Sequence, residues 1–173
     1  IKIDRVSADQ IGMMATAMNS LMIKETLISM GYQASVMTGL EIPAIGIKFD
    51  KTEALKLLSK NTIVLFAGGT GNPFFSTDTA AVLRGLEVEA DIIIKGTKVD
   101  GVYNKDPMVD TNAVKYDQLS YSEVLEKDLK VMDSAAIALS RENNLPLCVL
   151  NISDEKSLFD FIDGKEIGTK VTK

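Results

Sequence analysis

Short apolar runs alternate with longer helical segments along this chain, and that alternation most constrains its fold. Residues 62–66, Thr-Ile-Val-Leu-Phe, form an apolar run rich in β-branched side chains, which is typical of a buried strand. The same features predict strands at residues 34–37, 91–95 and 146–150. Because helical segments alternate with buried strands, the sequence predicts an α/β fold with a mostly parallel sheet covered by helices.

A long first helix is predicted from apolar residues at helical spacing, with a terminator at Gly31. Ser7 and Gln10 have the S-x-x-Q spacing of a capping box, which makes Ser7 the expected N-cap. We interpret the apolar side chains of this helix as a stripe that faces the core: Ile11, Met14, Met18, Leu21, Met22 and Ile28.

The remaining helices are also predicted from local signals. A second capping box runs from Ser120 to Glu123, and Asp133 or Ser134 caps the helix that follows. The predicted helices cover residues 52–59, 77–89, 121–129, 134–143 and 153–162. Since neither a linker nor a repeat is visible, residues 1–173 are expected to form one domain.

Composition excludes several classes of function. The formal net charge of −5 argues against a general nucleic-acid or membrane-surface binder, and the lack of a run of about 18 apolar residues argues against a transmembrane helix. With no histidine and one cysteine, the chain cannot build a His-based general base or a His/Cys zinc site from its own residues. The single thiol, Cys148, is interpreted as a buried core residue, and we expect a cytoplasmic protein.

The strongest candidate for a binding site is the glycine-rich segment at residues 68–78, Gly-Gly-Thr-Gly-Asn-Pro-Phe-Phe-Ser-Thr-Asp. It leaves a predicted strand and opens a predicted helix, so that backbone N–H groups and a helix N-terminus can face an anion. It contains neither G-x-G-x-x-G nor the Walker pattern. The alternative is a tight turn followed by an ordinary helix cap at Thr77 or Asp78.

A second candidate segment, residues 95–107, also follows a predicted strand. An aromatic ring, two carboxylates and lysines within one loop could hold a nucleotide and its metal, and the alternative is a solvated surface loop. A third candidate is Asp133, for which an ordinary helix cap is the alternative. Asp9, in the first helix, has the alternative of a favourable placement in the helix dipole.

The candidate segments carry a resemblance to a known family. Residues 69–78 closely resemble the UMP-binding loop of the bacterial UMP kinases, and residues 95–103 resemble the D-G-V-Y nucleotide loop of the amino-acid kinase superfamily. Further matches lie at residues 4–19, 118–126 and 131–133. The resemblance implies a three-layer α/β/α sandwich, a homohexamer, and Mg²⁺-dependent transfer of the ATP γ-phosphoryl group to UMP, giving UDP for pyrimidine nucleotide synthesis.

The resemblance also implies roles for individual residues. Asp9 would hold the UMP ribose, Thr97, Tyr103 and Asp106 would contact ATP, and Asp133 would organise the transfer centre. Asp78, Lys95 and Lys98 are weaker candidates, no protein residue is assigned as a metal ligand, and GTP or UTP would be effectors. Asn72 would contact the edge of the uracil. The residues that would together bind the UMP base and phosphate are Thr70, Gly71, Asn72, Pro73, Phe74, Phe75, Ser76 and Thr77.

Functions of three further kinds stay open. A related kinase could phosphorylate an acyl group of aspartate, glutamate or carbamate, but these enzymes lack the segment at residues 69–78. The chain could also be a module that only senses nucleotides, or it could have a purely structural role.

The family's Lys-Leu-Ser-Gly and Gly-Gly-Gly-Asn segments are expected before Ile1, and we expect residues 1–173 to lack the lysine that clamps the donor phosphate.

Overall fold

The computed structural model describes residues 2–173 and contains two compact α/β units, one that ends at Val88 and one that begins at Glu89. Within the described residues, every helix is too short or too polar to cross a membrane. The expectation that residues 1–173 form one domain stays a prediction.

The first unit is built around a three-stranded parallel sheet. Its strands lie in the order β2-β1-β3, and helix α1 packs against β1 and β3. Ala17, Val36 and Ala67 are buried at this contact. The elements are α1 (Arg5–Ser29), β1 (Ala34–Thr38), β2 (Ile47–Lys48), α2 (Lys51–Leu58), β3 (Ile63–Ala67) and α3 (Thr77–Glu87).

Helix α1 begins earlier than predicted. Asp4 is the N-cap, with its carboxylate accepting from the Ser7 amide at 3.0 Å and from the Ser7 hydroxyl at 2.6 Å. The prediction of Ser7 as N-cap was therefore wrong: the cap lies three residues earlier, and the Ser7 amide, at the third helical position, donates to the Asp4 carboxylate. The helix ends at Ser29 with Met30 as its C-cap, and Gly31 follows with a φ of 89°, as expected of a terminator.

The interpretation of the α1 apolar residues as a core stripe was also wrong for most of them. Only Met13 and Ala17 of this helix are buried, while Met18 and Met22 are 65% and 70% exposed. Ile11, Met14 and Ile28 are exposed as well. The sheet covers one narrow face of α1, and the apolar residues extend around the helix onto the opposite face.

The second unit contains a mixed sheet of four strands in the order β4-β8-β9-β7, together with a β5-β6 hairpin. Pairs β4-β8 and β7-β9 are parallel, whereas β8-β9 and β5-β6 are antiparallel. The elements are β4 (Ile93–Thr97), β5 (Val102–Tyr103), β6 (Lys115–Tyr116), β7 (Gln118–Ser120), α4 (Tyr121–Glu126), α5 (Ser134–Asn143), β8 (Leu147–Asn151), α6 (Glu155–Ile162) and β9 (Thr169–Thr172).

Parallel pairs outnumber antiparallel ones over the two units, so the predicted α/β class with a mostly parallel sheet is confirmed. The capping box of α4 is confirmed in both arms, and Asp133 is the N-cap of α5. Cys148 is fully buried, as interpreted, and burial raises the pKa of its thiol.

Candidate functional site

The glycine-rich segment joins the C-terminal end of β3 to the N-terminus of α3, as predicted. We call residues 68–76 the glycine loop. Ser76 is the N-cap of α3, because its backbone is extended and its hydroxyl accepts from the Thr79 amide at 3.0 Å. The cap therefore lies one residue before Thr77 and two before Asp78, the predicted alternatives. Ligands of open α/β sheets bind at this end of parallel strands.

Left-handed backbone and a close approach shape the glycine loop. Gly68, Gly69 and Gly71 have φ values of 74°, 57° and 81°. A Cβ on Gly71 would lie 2.3 Å from the Gly39 carbonyl oxygen, and a Cβ on Gly39 would lie 2.7 Å from the Gly71 amide nitrogen. Only glycine at both positions allows this backbone contact. Gly39 escaped sequence reasoning, although a glycine two residues after a predicted strand was visible.

Helix α1 anchors the glycine loop at its first residue, Gly68, and near its other end, at Phe74. The Thr16 hydroxyl accepts from the Gly68 amide at 2.8 Å and donates to the Met13 carbonyl at 2.7 Å. The Asp9 carboxylate accepts from the Phe74 amide at 2.7 Å. Because residues seven apart share one helix face, Asp9 and Thr16 reach the same loop. The structure thus brings Asp9 to the predicted acceptor residues, whereas Thr16 was missed.

The carboxylate of Asp9 is held in a definite orientation. The Arg5 Nε lies 2.7 and 2.8 Å from its two oxygens, and the Arg5 guanidinium lies 5.6 Å from the centre of the Phe74 ring. The hydrogen bond from the Phe74 amide, followed by the one from Arg5, lowers the pKa of Asp9 below its ordinary value. Asp9 is therefore a fixed anion at neutral pH. Arg5 was not among the predicted site residues.

The predicted acceptor residues form one open surface on the glycine loop and the first residue of α3. The Thr70 hydroxyl accepts from the Asn72 amide at 3.1 Å and closes a short turn. Phe74 has a φ of 71°, and its side chain is 68% exposed. The side chains of Asn72, Phe75, Ser76 and Thr77 are also exposed, so that a ligand can reach them.

The predicted ATP residues meet in a cavity of the second unit. Thr97, Tyr103 and Asp106 all line this cavity of about 430 Å³, and Lys95, Lys130 and Val131 also line it. Such a volume falls within the usual range for small-molecule sites, about 300–1,000 Å³. Lys130 was missed by sequence reasoning, since it lies far from residues 95–107 along the chain. We call this space the second-unit cavity.

Internal hydrogen bonds give the second-unit cavity its shape. The Thr97 hydroxyl donates to the Val99 carbonyl at 2.7 Å, and the Asp106 carboxylate accepts from the Met108 amide at 2.9 Å. The Tyr103 hydroxyl donates to Asp100 at 2.5 Å, which lowers the pKa of Asp100 and raises the pKa of Tyr103. The ring of Tyr103 is therefore fixed as part of the cavity wall.

Asp133 lies two residues after Val131, which lines the second-unit cavity. Its carboxylate accepts from the Ala136 amide at 2.9 Å, and the residue is half-buried. The alternative of a helix cap is therefore confirmed as a structural role. A role in phosphoryl transfer stays a prediction.

No three His, Cys, Asp or Glu side chains between residues 2 and 173 gather closely enough to hold a metal ion. Mg²⁺ in kinase sites usually takes one or two carboxylates, water molecules and substrate phosphates as its ligands. Two carboxylates, those of Asp106 and Asp128, line the second-unit cavity and are ligands of this type.

Known proteins resemble this chain over most of its length. Residues 1–151 match the amino acid kinase family. Uridylate kinases from Bacteroides thetaiotaomicron and Brucella abortus are both 46% identical to it, over 97% and 94% of this chain and 71% and 68% of their own lengths. The crystal structure of UMP kinase from Bacillus anthracis matches 98% of this chain and 70% of its own, with 36% identity and a TM-score of 0.95. The chain therefore belongs to the amino acid kinase family, and within that family to the uridylate kinases.

Proposed function

We propose that this protein is a UMP kinase, which transfers the γ-phosphoryl group of ATP to UMP and so gives UDP for pyrimidine nucleotide synthesis. One observation carries the proposal: the glycine loop is fixed by Asp9, Thr16 and Gly39 in a chain that is 46% identical to uridylate kinases. The segment at residues 69–78, which the acyl-group kinases lack, argues against a small acyl acceptor.

UMP binds on the glycine loop in this proposal. Backbone N–H groups of the loop and the first turn of α3 bind its phosphate, because a helix N-terminus carries free donors and a partial positive charge. Thr77, at the first position of α3, adds a hydroxyl group there. Asn72 binds the uracil edge. Asp9 accepts hydrogen bonds from the ribose hydroxyls, since it is an anion beside the loop.

ATP binds in the second-unit cavity. Tyr103 and Val131 offer an aromatic and an apolar surface to the base, while Thr97 and Asp106 line the same space. Lys95 and Lys130 place positive charge where the phosphates lie. Mg²⁺ accompanies ATP and, when bound, neutralises charge on the phosphate oxygens.

The chemistry requires no general base. The second pKa of a phosphate monoester is about 6, so the UMP phosphate is largely a dianion at neutral pH and attacks directly. The protein contributes positioning and charge stabilisation, which dominate phosphoryl transfer. The absence of histidine from the sequence is compatible with this reaction. Asp133 orients the cationic groups around the transferred phosphoryl group.

An assay of ADP release with purified protein tests the proposal. With Mg-ATP as donor, UMP is expected to be the best acceptor, ahead of CMP and dUMP, and aspartate, glutamate and carbamate should give no turnover. Faster turnover with an acyl acceptor would contradict the proposal. Calorimetry that shows UMP binding without any ADP release would instead favour a nucleotide sensor.

Assembly and regulation complete the proposal. The protein is a cytoplasmic homo-oligomer, a hexamer in the manner expected for the family, whose activity responds to GTP or UTP. The exposed apolar face of α1, with Met18 and Met22 at its centre, supports an assembly in which another subunit covers it.

A further inference from the structure

Arg5 stands out because it makes three contacts at the acceptor site, although the proposed chemistry does not use it. Its Nε shares a hydrogen bond between both Asp9 oxygens, and its guanidinium lies over the Phe74 ring. Asp9 in turn accepts from the Phe74 amide. Arg5, Asp9 and Phe74 therefore form a closed set of contacts between the first turns of α1 and the glycine loop, which we call the α1 clasp.

Helix stability does not explain Arg5. It is the first residue of α1, where a cation faces the positive end of the helix dipole. In its pair with Asp9 the basic residue precedes the acidic one, which is the weaker order for an i,i+4 pair. Exposed ion pairs of this kind contribute little to stability in general. A residue that breaks local rules while contacting a binding loop points to a functional reason.

Phe74 is the residue that needs this support. Its φ of 71° lies in the left-handed region, which is uncommon for an aromatic residue and persists only when its surroundings hold it. The Asp9 hydrogen bond fixes its amide, and Arg5 contacts both the carboxylate that accepts this bond and the Phe74 ring. Phe74 lies between Asn72 and Ser76, so its conformation sets the course of the acceptor surface.

We infer that Arg5 is a positioning residue for acceptor binding, which acts through Asp9 and Phe74 to hold the glycine loop in its binding conformation. Arg5 need not touch UMP for this role. The expected effect on UMP affinity rests on the proposed function, whereas the effect on the glycine loop itself does not.

The main test compares three substitutions in the full chain: Arg5→Gln, Arg5→Lys and Lys56→Gln. Lys56→Gln is the matched control, since it removes an exposed ion pair within α2, the one with Glu53 at 3.0 Å. Arg5→Gln is expected to weaken UMP binding about 5- to 30-fold in calorimetry, as loss of a positioned hydrogen bond does. The KM for ATP of Arg5→Gln should change less than twofold. The UMP affinity of Lys56→Gln should also change less than twofold. Arg5→Lys should recover part of the loss.

A second variant distinguishes positioning from direct contact with UMP. If Arg5 acts through Asp9, then adding Arg5→Gln to Asp9→Asn should weaken UMP binding by less than twofold beyond Asp9→Asn alone. A full, additive loss would overturn the role of Asp9 as the intermediary.

Hydrogen exchange of residues 70–78 in the UMP-free protein provides a readout that needs no activity. Arg5→Gln should speed exchange at this segment, and Lys56→Gln should not. Unchanged exchange together with unchanged UMP affinity in Arg5→Gln would overturn the inference. Faster exchange in a protein whose wild type binds no UMP would leave the α1 clasp standing and refute the proposed function.

Discussion

Asp9 is assigned two roles in this site. Its carboxylate accepts a hydrogen bond from the Phe74 amide, and it is also proposed to bind the ribose. Asp9→Ala is expected to weaken binding of both UMP and dUMP, since the glycine loop loses an anchor in either case. The preference for UMP over dUMP should fall to near unity only if Asp9 also accepts from the ribose 2′-hydroxyl. Calorimetry with the two nucleotides measures this ratio, and a preference as large as that of wild type would refute the ribose contact.

Gly71 is the position where the glycine loop has least freedom to change. Gly71→Ala is expected to lower the free energy of unfolding by about 3 kcal/mol and to weaken UMP binding at least tenfold, since its Cβ would meet the Gly39 carbonyl. Gly31→Ala is the matched control: its φ is 89°, but nothing lies within 4 Å of its added Cβ. It should cost only about 1 kcal/mol. Equal losses in the two variants, measured by denaturant unfolding, would contradict the close-approach explanation.

Asp133 allows a structural role to be separated from a catalytic one. Asn is as good an N-cap as Asp, so Asp133→Asn should leave the unfolding free energy within about 0.5 kcal/mol of wild type. We expect kcat to fall at least a hundredfold while UMP affinity stays nearly constant, because the substitution removes the charge that is proposed to orient the transfer centre. Steady-state kinetics of the complete protein measures kcat, and calorimetry measures UMP affinity. An unchanged kcat would exclude the proposed role.

Among single residues, the candidates that the sequence offered lie mostly within two loop segments, and their roles in binding stay predictions. The candidate acceptor residues, apart from Asp9, and the candidate ATP residues came from two contiguous segments. Thr16, Gly39 and Arg5 were missed because their roles arise from contacts with residues that are 32 to 69 positions away in the chain, as in the Thr16 bond to Gly68. Local pattern carries no information about such pairs.

At the scale of elements, the α4 capping box predicts a specific dependence on pH. Hydrogen bonds from Ser120 and Lys127, with the Ser120 amide contributing most, lower the pKa of Glu123 to about 2. Because the folded-state pKa lies below the ordinary value of 4.5, this carboxylate stabilises the fold above pH 4.5, and its contribution is lost as the pH falls towards 2. Glu123→Gln keeps a capping-box side chain but removes the titration. Its unfolding free energy should therefore vary less between pH 5 and pH 3 than that of wild type.

The elements that were predicted well are those whose signals are local. The apolar runs predicted β1, β3, β4 and β8 to within two residues, and Ser120–Glu123 correctly marked the start of α4. Strand β9, Thr169–Thr172, was missed because it is short and half polar and depends on pairing with β8 and β7. The apolar residues of α1 were recognised, but periodicity could not say which of them the sheet would cover.

For the whole molecule, the exposed face of α1 predicts assembly. Met18→Gln combined with Met22→Gln should shift the protein towards smaller species in analytical ultracentrifugation, because it removes the apolar centre of this face. Met108→Gln is the control, since Met108 is 82% exposed and lies in the second unit. A double variant that sediments as wild type would place the subunit contacts on another surface.

Helix α1 has two opposite faces, one that contacts the glycine loop and one that is exposed and apolar. One carries Asp9 and Thr16, which hold the glycine loop at Phe74 and Gly68, and the other carries the exposed methionines. Because α1 is one continuous helix, its two faces move together. A second subunit or a small effector that displaced α1 by binding its exposed face would therefore move Asp9 and Thr16 together. That movement would shift the glycine loop and change the affinity of the proposed acceptor site for its nucleotide.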